Sequence, residues 1–400
     1  MRIAFLLSIS LDSPSSLGRW FPWAREMAAL GHEVHFVALH HDLGPAVPRH
    51  LKHEGVHVHY VGQMHTRKVG DATFYFNALQ LLWVVMRGTI GLARQAAMLR
   101  ADIYHICKPH PQNGFAGLLA TRILSGGRLF LDCDDLEAAI NRFGGAWQRR
   151  GIAWLEDHLP CWVDGLTVHT RFLEDKFQAL GVLQGCILRV PSGIDRSRFR
   201  SVSAASVADW REQLRLDRQR VVAYVGTMAL VSHSVDLLLE ALARLSSRVK
   251  DVVLLLVGGG PDLAMIKRLA GQLGVADRCR FTGRVAADQV PALLSLADVS
   301  VDPVYDDEIA RARWPVKIME SMALRVPVVT GDVGDRREML GGGMAGLLVA
   351  PGDPQALADG LESVLSDLSV RERLSAGCAV QAAQYGLREA VSRLLAFYGQ

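Results

Sequence analysis

The sequence predicts an α/β protein made of two doubly wound parallel-sheet domains. Short apolar runs typical of buried strands alternate with helical patterns, as in a parallel sheet covered on both faces. The alternation starts a second time at Val221, after a charged stretch with few strand-forming residues. The chain has 400 residues, more than one hydrophobic core usually serves. Ligands of such sheets bind beyond the carboxyl ends of the strands, so we expect the two domains to face a ligand cleft.

The predicted domains are residues 1–198 and 199–380, followed by a C-terminal helix at 381–400. The net charge of +3 is too small to argue for nucleic-acid binding. Six widely spaced cysteines without a Cys-x-x-Cys pair argue against zinc and disulfides and for a reducing compartment. The opening apolar run is too short for a signal peptide, and no run is long enough to span a bilayer. We therefore expect a cytoplasmic protein, soluble or peripheral on the inner face of the membrane.

The first domain opens with a strand, a small-residue loop and a helix, a unit in which an acceptor can approach the loop. Gly18 and Arg19 end this loop and are predicted acceptor-side residues. The loop lacks a strict Gly-x-Gly-x-x-Gly pattern, which argues against a dinucleotide site. His110 follows another strand in a Lys-Pro-His-Pro loop and is a third acceptor-side candidate, although the two prolines alone also explain a turn.

Residues 72–100 form a strongly apolar helical pattern that includes aromatic residues and Arg87, Arg94 and Arg100. Its uncharged part is only about fifteen residues long, short of a spanning helix. Two interpretations remain open. One is a helix lying on a membrane surface, and the other, which we favour, is a core helix of the first domain.

An acidic cluster that includes Asp134 and Asp135 follows the strand that begins at Arg128. Carboxylates at a strand end can orient an acceptor hydroxyl or stabilise a developing positive charge. Four histidines crowd another region, at His50, His53, His57 and His59. They lack acidic or cysteine partners, so we predict solvated histidines and no metal ligands.

The most informative stretch is 310–338. Pro315 suits the first position of a helix, on which Lys317 and Glu320 share one face. An anion at this helix N-terminus would meet free backbone N–H groups together with a lysine. Glu320, one turn further in, would accept hydrogen bonds from a pair of sugar hydroxyls. The pattern favours a phosphate-plus-sugar ligand; the alternative is a buried helix with a surface salt bridge.

Taken together, the motifs resemble retaining glycosyltransferase family 4, of the GT-B fold, over nearly the whole chain. Each motif is weak alone, but their order and spacing are specific. The segments that carry the resemblance are Gly31-His-Glu-Val34, Val190-Pro-Ser-Gly-Ile-Asp195, Tyr224-Val-Gly-Thr227, Leu255-Leu-Val-Gly-Gly-Gly-Pro261, Phe281-Thr-Gly-Arg284 and Glu320-Ser-Met-Ala-Leu-Arg-Val-Pro-Val328. The resemblance implies that the first domain binds the acceptor, that the second binds a nucleotide sugar, and that the last helix crosses back to the first domain.

The resemblance also implies site residues. Glu320 matches the second glutamate of the family's Glu-x7-Glu motif, a ribose ligand, and Lys317 matches a lysine found before it in one branch. Gly226, Gly283, Gly334 and Asp335 match backbone positions that face the donor. The full predicted donor or nucleotide-binding set is Gly226, Thr227, His233, Gly258, Gly259, Gly283, Arg284, Arg311, Arg313, Lys317, Glu320, Gly334 and Asp335. The predicted catalytic set is Asp134, Asp135, Lys317 and Glu320.

Three features of the family pattern are missing. Ala312 stands where the first glutamate is expected, so that role is unfilled or moved to Asp306, Asp307 or Glu308. The usual diphosphate-binding Arg and Lys fall near Thr227 and His233, and the catalytic-region histidine falls at Asp134. We therefore take Lys317, Arg311, Arg313 and His233 as the phosphate candidates.

The expected function is metal-independent transfer, with retention, of a sugar from a nucleoside diphosphate sugar to a hydroxyl acceptor. The acceptor is expected to be a lipid-linked glycan or a cell-envelope polysaccharide, and no cofactor is needed beyond the donor substrate. Asp132 and Asp134 form an Asp-x-Asp that binds a metal in another glycosyltransferase architecture, but that architecture has one domain. Two alternatives are a non-catalytic nucleotide-sugar-binding partner of another transferase and a sugar-nucleotide epimerase of the same fold.

Overall fold

A computed structural model describes residues 1–13, 15–69, 72–195, 198–199 and 202–399. The chain divides into two compact units. The first comprises Met1–Gly193 and Leu387–Gln400, and the second comprises Ile194–Gly386. These divisions lie within a few residues of the sequence-based boundaries at 198 and 380.

The first unit is built on a mostly parallel sheet with the strand order β10-β9-β8-β7-β1-β2-β4-β3. Neighbouring strands are parallel except at the edge, where β3 runs antiparallel to β4. A separate antiparallel pair is formed by β5 and β6. The strands are β1 (Arg2–Leu7), β2 (Glu33–His40), β3 (His50–His53), β4 (Val56–Gln63), β5 (Thr66–Val69), β6 (Ala72–Tyr75), β7 (Ile103–Cys107), β8 (Arg128–Cys133), β9 (Gly165–Val168) and β10 (Ile187–Arg189).

Helices cover this sheet, and several begin at side-chain caps that the sequence encodes. Asn77 accepts from the backbone N–H of Gln80, whose side chain returns the bond, which starts the longest helix of the unit. Thr170 caps another helix by accepting from the N–H of Leu173. The α-helices are Phe21–Ala29, Ala78–Leu99, Pro111–Leu119, Glu137–Ile140, Ala146–His158, Arg171–Ala179 and Leu387–Tyr398. Ser16–Trp20 and Ala120–Leu124 are π-helical, and Leu159–Trp162 and Gln184–Cys186 are 3₁₀ turns.

The last helix, Leu387–Tyr398, is part of the core of the first unit. Its Leu394, Phe397 and Tyr398 are buried, and the Tyr398 hydroxyl hydrogen-bonds to Nδ1 of His105 on β7. Apolar burial of this kind stabilises the unit by removing side chains from water.

The second unit is a fully parallel sheet with the strand order β13-β12-β11-β14-β15-β16. Its strands are β11 (Arg220–Val225), β12 (Val252–Val257), β13 (Cys279–Gly283), β14 (Val299–Asp302), β15 (Val328–Gly331) and β16 (Gly346–Val349). Its α-helices are Ala204–Gln213, Val235–Arg248, Leu263–Gln272, Val290–Leu294, Glu308–Ala312, Val316–Ala323, Arg336–Met339, Pro354–Ser366 and Leu368–Gln384, with a 3₁₀ turn at Ala276–Arg278.

Both sheets have a topological switch point, where the strand order reverses. It lies between β1 and β7 in the first unit and between β11 and β14 in the second. Ligands of doubly wound sheets bind beyond the carboxyl ends of the strands at such points. The sequence prediction of two doubly wound domains is confirmed, and the switch points indicate where each domain should be searched for a site.

The helix Ala78–Leu99 corrects the interpretation of residues 72–100 as a core helix. Only its inner side, which includes Leu92 and Ala96, is buried. Leu79 is 82% exposed and Leu82 is 67% exposed, so a large part of the apolar pattern faces outward. Within the described ranges, every helix is too short or too polar to cross a membrane.

We predict that Leu394→Ala will destabilise the first unit by about 2–5 kcal/mol, because it opens a cavity among fully buried side chains. Urea unfolding monitored by tryptophan fluorescence measures the loss. Leu183→Ala is the control, since Leu183 is in the same unit but 73% exposed. Equal unfolding midpoints for the two variants would contradict the placement of the last helix.

Candidate functional site

In the second unit, charged side chains converge on Asp302, the last residue of β14 at the switch point. Lys317 Nζ lies 3.0 Å from one carboxylate oxygen of Asp302, and Arg336 Nε lies 2.8 Å from the other. All three side chains are buried. Burial alone would raise the pKa of Asp302, but the two cations outweigh it and hold the pKa well below its ordinary value. Asp302 is therefore an anion fixed between two cations.

A third cation makes this cluster electropositive. Arg313 lies close enough for its charge to act on Lys317, Asp302 and His233. The cluster contains three cations, Lys317, Arg336 and Arg313, and one carboxylate, Asp302. Its formal charge is therefore +3 − 1 = +2. Burial, followed by the neighbouring arginines, lowers the pKa of Lys317 despite Asp302. Such a site gains from binding an anion, which compensates the excess positive charge.

Glycines at the ends of β11 and β12 let the backbone come close to this cluster. A Cβ on Gly226 would lie 2.8 Å from the Tyr224 hydroxyl and 3.4 Å from Cε of Lys317. Gly258 has a φ of +135°, and a Cβ there would overlap the carbonyl oxygen of Gly226. Lys317 Nζ lies 4.5 Å from the ring centroid of Tyr224, a cation–π contact that fixes the lysine at the end of β11.

The structure brings the other predicted glycines to the same edge of the sheet. The N–H of Gly258 donates to the carbonyl of Gly283, and the N–H of Met228 donates to the carbonyl of Gly259, both at 3.0 Å. These bonds tie together the loops that contain Thr227 and Arg284. Gly334 and Asp335 lie at the start of the helix Arg336–Met339, which carries one of the cations of the Asp302 cluster.

Glu320 lies one helical turn from Lys317 on Val316–Ala323. One of its carboxylate oxygens is 3.5 Å from Nη1 of Arg198, and its side chain is 15% exposed. Burial raises the pKa of Glu320, although Arg198 and Lys317 oppose this. The carboxylate of Glu320 thus lies near the cation cluster but is paired with Arg198, outside that cluster.

Two of the four phosphate candidates do not fit that role as cations. Arg311 is exposed and forms a 2.8 Å ion pair with Asp306, so its charge is compensated outside the cluster. Burial, then the charges of Lys317 and Arg313, hold the pKa of His233 well below its ordinary value, so its imidazole is neutral. Of the four predicted phosphate candidates, Lys317 and Arg313 remain as cations of the Asp302 cluster. The structure adds Arg336 to them.

Two of the acidic residues near Ala312 already have structural roles. Asp306 pairs with Arg311, and Asp307 caps the helix Glu308–Ala312 by accepting from the N–H of Ala310 at 2.7 Å. Glu308 is exposed in the first turn of that helix.

In the first unit, a second charged cluster lies beyond the carboxyl ends of β7 and β8. The ammonium of Lys108 is 2.8 Å from Asp134 and 3.7 Å from Asp135, and it also contacts Glu137. Burial alone would lower the pKa of Lys108, but the carboxylates outweigh it and raise the pKa well above its ordinary value. Lys108 has a φ of +77°, a conformation that costs a non-glycine residue backbone strain.

His110 joins this cluster and extends it to the first strand. Its Nε2 lies 2.9 Å from Glu137, and its Nδ1 lies 2.7 Å from Ser8 Oγ at the end of β1. One oxygen each of Asp134, Asp135 and Glu137 lie within 4.8 Å of one another, a spacing that a metal ion could bridge. The ammonium of Lys108 lies among these oxygens and supplies the positive charge itself.

The predicted acceptor-side role of Arg19 is wrong. Its guanidinium forms a fully buried ion pair with Asp132 at 2.6 Å and donates to the carbonyl of Val190 at 3.0 Å. Trp20 and Thr167 also bond to Asp132, so this carboxylate is committed to the core and not paired with Asp134 around one cation. Gly18 lies in the π-helical turn Ser16–Trp20, where a Cβ would have no neighbour within 4 Å.

The histidines near β3 and β4 are not all solvated. His59 bonds to His35 at 3.1 Å and to His50 at 2.8 Å. Burial, then the neighbouring histidines, lower the pKa of His59 to about 4. His59 is therefore neutral at physiological pH.

Sequence reasoning missed several residues because their partners are distant in the chain. No local pattern marks a lysine that will meet three carboxylates about 26–29 residues away, or an arginine that will meet an aspartate from another strand. The missed residues are Lys108, Glu137, Arg198, Asp302 and Arg336. Their positions directly after strands, or in the first turn of the following helix, were the available signal for most of them.

A surface cavity of about 530 Å³ lies away from both clusters, at the amino-terminal ends of β14 and β15. Its charged lining residues are Asp298 and Arg371, which form a 2.8 Å ion pair, together with Arg325 and Glu372. Two acidic and two basic residues leave the lining without net charge, so this cavity is a poor match for a charged donor.

Two family models match the chain. The model for glycosyl transferases group 1 matches residues 206–377, and the model for a glycosyl transferase 4-like domain matches residues 21–193. The chain belongs to the GT4-type glycosyltransferases. The Asp302 cluster lies in the part that matches the group 1 model, and the Lys108 cluster lies in the part that matches the 4-like model.

Curated relatives are similar to part of this glycosyltransferase chain. An alpha-D-kanosaminyltransferase of Streptomyces kanamyceticus is 32% identical over 48% of this chain and 48% of its own length. A GDP-mannose-dependent alpha-(1-6)-phosphatidylinositol monomannoside mannosyltransferase of Mycobacterium tuberculosis is 33% identical over 51% of this chain and 53% of its own. The chain thus aligns with about half the length of these relatives.

Solved structures show the fold. Sucrose-phosphate synthase from Thermosynechococcus elongatus superposes with a TM-score of 0.78 at 19% identity, covering 100% of this chain and 98% of that one. Anabaena HepE in complex with UDP and glucose superposes with a TM-score of 0.73 at 17% identity, covering 99% and 98%. These similarities support the GT-B fold and carry no further information on the substrate.

We predict that Glu137→Gln will lower stability near pH 7 and that its deficit will shrink as the pH falls. Burial alone would raise the pKa of Glu137, but Lys108 and His110 outweigh it and hold the pKa well below the ordinary 4.5. A carboxylate whose pKa is lower in the folded state than in the unfolded state stabilises the fold above about pH 4.5. This contribution is lost as the pH falls below that value. Urea unfolding from about pH 7 to pH 3 measures the difference between the variant and the wild type.

Glu372→Gln, at an exposed position, is the control and should keep a constant difference from the wild type over that range. A Glu137→Gln deficit that does not change with pH would contradict the ion pairing of Glu137 with Lys108.

Proposed function

We propose that the protein transfers a sugar from a nucleoside diphosphate sugar to a hydroxyl acceptor, with retention at the anomeric carbon and without a metal ion. The observation that carries the proposal is the pair of buried cations Lys317 and Arg336 on Asp302, with the half-buried Arg313 near enough to add its charge. It lies at the switch point of the sheet in the group 1 part of the chain, beside glycines that let a ligand approach the backbone.

The donor diphosphate is assigned to this cluster. Departure of the nucleoside diphosphate builds up negative charge, and fixed cations in a water-poor site stabilise that charge most effectively. A formal excess of two positive charges matches the charge of a diphosphate diester, so Lys317 and its neighbours supply what a metal ion supplies elsewhere. Glu320, held beside Arg198, is assigned to sugar hydroxyls, as a carboxylate accepts from two adjacent O–H groups.

The acceptor is assigned to the first unit, at the cluster of Asp134, Asp135 and Lys108. Asp135 is the more exposed of the two aspartates and is the better placed to meet an acceptor hydroxyl. Burial raises the pKa of Asp134, so this carboxyl group favours a proton more than an ordinary aspartate does. His110, bonded to both Ser8 and Glu137, offers a second group for orienting the acceptor.

A lipid-linked glycan or a cell-envelope polysaccharide is the proposed acceptor. One relative is named for action on a phosphatidylinositol mannoside, which is a lipid-borne acceptor. We also propose that the protein is cytoplasmic and contacts the inner face of the membrane through residues 72–100, whose helix exposes apolar side chains.

A non-catalytic nucleotide-sugar-binding partner of another transferase is the second candidate. Ala312, buried at the position of an expected glutamate, favours it, as do the structural roles of Asp306 and Asp307. Both candidates require donor binding, and only the first requires turnover.

We predict that one nucleoside diphosphate series will raise the melting temperature without added metal. A ligand at about 100 times its dissociation constant stabilises a protein by about 2.7 kcal/mol, which a thermal-shift assay detects. Glu320→Ala should reduce the shift, while Glu372→Ala, at an exposed position, should not. The absence of a shift with every nucleotide tested would overturn the donor-site assignment.

We predict that Lys317→Ala will lower the rate of sugar transfer by ten- to a thousand-fold, on the order of 1.4–4 kcal/mol, because a cation at the leaving group is lost. Asp302 keeps Arg336 as a partner in this variant, so the fold should survive. Exposed Lys250→Ala is the control. Unchanged turnover of Lys317→Ala would refute its role, and donor binding without turnover in the wild type would favour the non-catalytic candidate.

A further inference from the structure

We propose that the outward face of two neighbouring helices of the first unit docks on an anionic lipid bilayer. We call it the two-helix face; it comprises Ala78–Leu99, and Pro111–Leu119 with its π-helical continuation Ala120–Leu124. The inference rests on the proposed function and deepens it, because it extends the membrane contact beyond residues 72–100 and specifies the charge of the lipid.

The first helix presents a continuous apolar stripe to the outside. The side chains of the stripe are 44–82% exposed and belong to Leu79, the adjacent pair Leu82 and Trp83, Met86 and Ile90. Apart from that pair, they follow one another at intervals of three or four residues. This spacing places them on one side of an α-helix. Its opposite side, around Leu92 and Ala96, is buried against the sheet.

The second helix continues the same surface. Phe115, Leu119 and Ile123 are spaced four residues apart and are 45%, 36% and 73% exposed. The inner side of this helix approaches the sheet through Gly117, whose Cβ would lie 2.8 Å from Ile106. Helices 78–99 and 111–124 pack against each other, so their exposed stripes lie on neighbouring helices of the first unit.

The charge around this surface favours an anionic partner. Between residues 72 and 131 the sequence contains one acidic residue, Asp102, whose carboxylate accepts from the backbone N–H of Arg2 at the start of β1. Arg87 and Arg94 on the first helix are exposed. Arg87 lies 5.5 Å from the ring of Trp83, so an interfacial tryptophan and a cation occupy the same point of the stripe.

A bilayer surface fits these features better than other environments. The helix 78–99 does not meet the criteria for crossing a membrane, and its inner side is held by the unit. An amphipathic surface with large apolar side chains, a tryptophan and arginines is typical of interfacial binding, in which apolar burial and attraction to anionic lipid act together. Arginine stems can lie along the apolar surface while their guanidinium groups reach the headgroups.

The position of the surface suits a lipid-borne acceptor. The second helix begins directly after His110, which belongs to the Lys108 cluster. The helix rises about 1.5 Å per residue, so the nine residues from Pro111 to Leu119 span about 14 Å. A hydroxyl carried by a lipid at the two-helix face would therefore be within a short distance of the proposed acceptor residues.

Flotation of the full chain with vesicles tests the proposal. We expect binding to vesicles of phosphatidylcholine and phosphatidylglycerol, weaker binding to phosphatidylcholine alone, and partial release at about 0.5 M salt, where charges are screened. Leu82→Ser with Trp83→Ser should lower the bound fraction about tenfold, and so should Leu119→Ser with Ile123→Ser. Arg87→Gln with Arg94→Gln should remove the preference for the anionic vesicles.

Matched controls lie elsewhere on the surface. Leu183→Ser changes an exposed leucine of the first unit, and Arg373→Gln changes an exposed arginine of the second. Both should bind vesicles like the wild type. Because every substituted residue is exposed, melting temperatures should stay close to that of the wild type, which separates lost binding from lost folding.

Wild-type protein that fails to bind anionic vesicles overturns the proposal. Normal binding by the Leu119→Ser, Ile123→Ser variant overturns the two-helix face in favour of a contact through the first helix alone. Self-association seen by light scattering, abolished by the same variants in the absence of vesicle binding, identifies a protein–protein surface and also overturns it. The nucleotide thermal shift should be unchanged in all these variants, so failure of the donor site and failure of the membrane surface remain distinguishable.

Discussion

The placement of Asp302 between Lys317 and Arg336 is the interaction on which the second unit's site depends. A lone buried lysine would shed its proton or be expelled toward water, because the interior disfavours an isolated charge. Asp302 holds both cations in place while leaving the cluster, with Arg313, electropositive. This arrangement requires Asp302 to stay ionised, and its lowered pKa ensures that it does. The cations are thus fixed in place before the proposed diphosphate ligand binds.

In the first unit, the charged cluster at the equivalent place in the sheet has the opposite net charge. There one ammonium, Lys108, is surrounded by Asp134, Asp135 and Glu137, and the cluster has excess negative charge. Both clusters follow strands at a switch point, the place where loops of a doubly wound sheet diverge and leave room for a ligand. A positive site suits a phosphate donor, while a negative site suits a hydroxyl acceptor whose proton must leave. The opposite net charges of the two clusters are consistent with the chemistry proposed for each unit.

The outer surface of the first unit adds a constraint of a different kind. Exposed apolar side chains on helices 78–99 and 111–124 would lower solubility unless they are covered. Large exposed apolar patches mark interaction surfaces. Because this part of the sequence contains almost no acidic residues, it would not repel an anionic partner. A transferase that acts on lipid-linked glycans would work on such a surface.

The sequence by itself determined the two doubly wound sheets, most strand positions and the helix that carries Lys317 and Glu320, because strand alternation and helical periodicity are local patterns. Only the tertiary structure decided which charges meet. Arg19 turned out to pair with Asp132, more than a hundred residues away, and Arg311 turned away from the cluster to Asp306. It also decided that the apolar helix 78–99 exposes one side, since an apolar periodicity is the same whether a neighbouring helix or solvent covers that side. Pairing and exposure are set by long-range packing, which no local window of sequence contains.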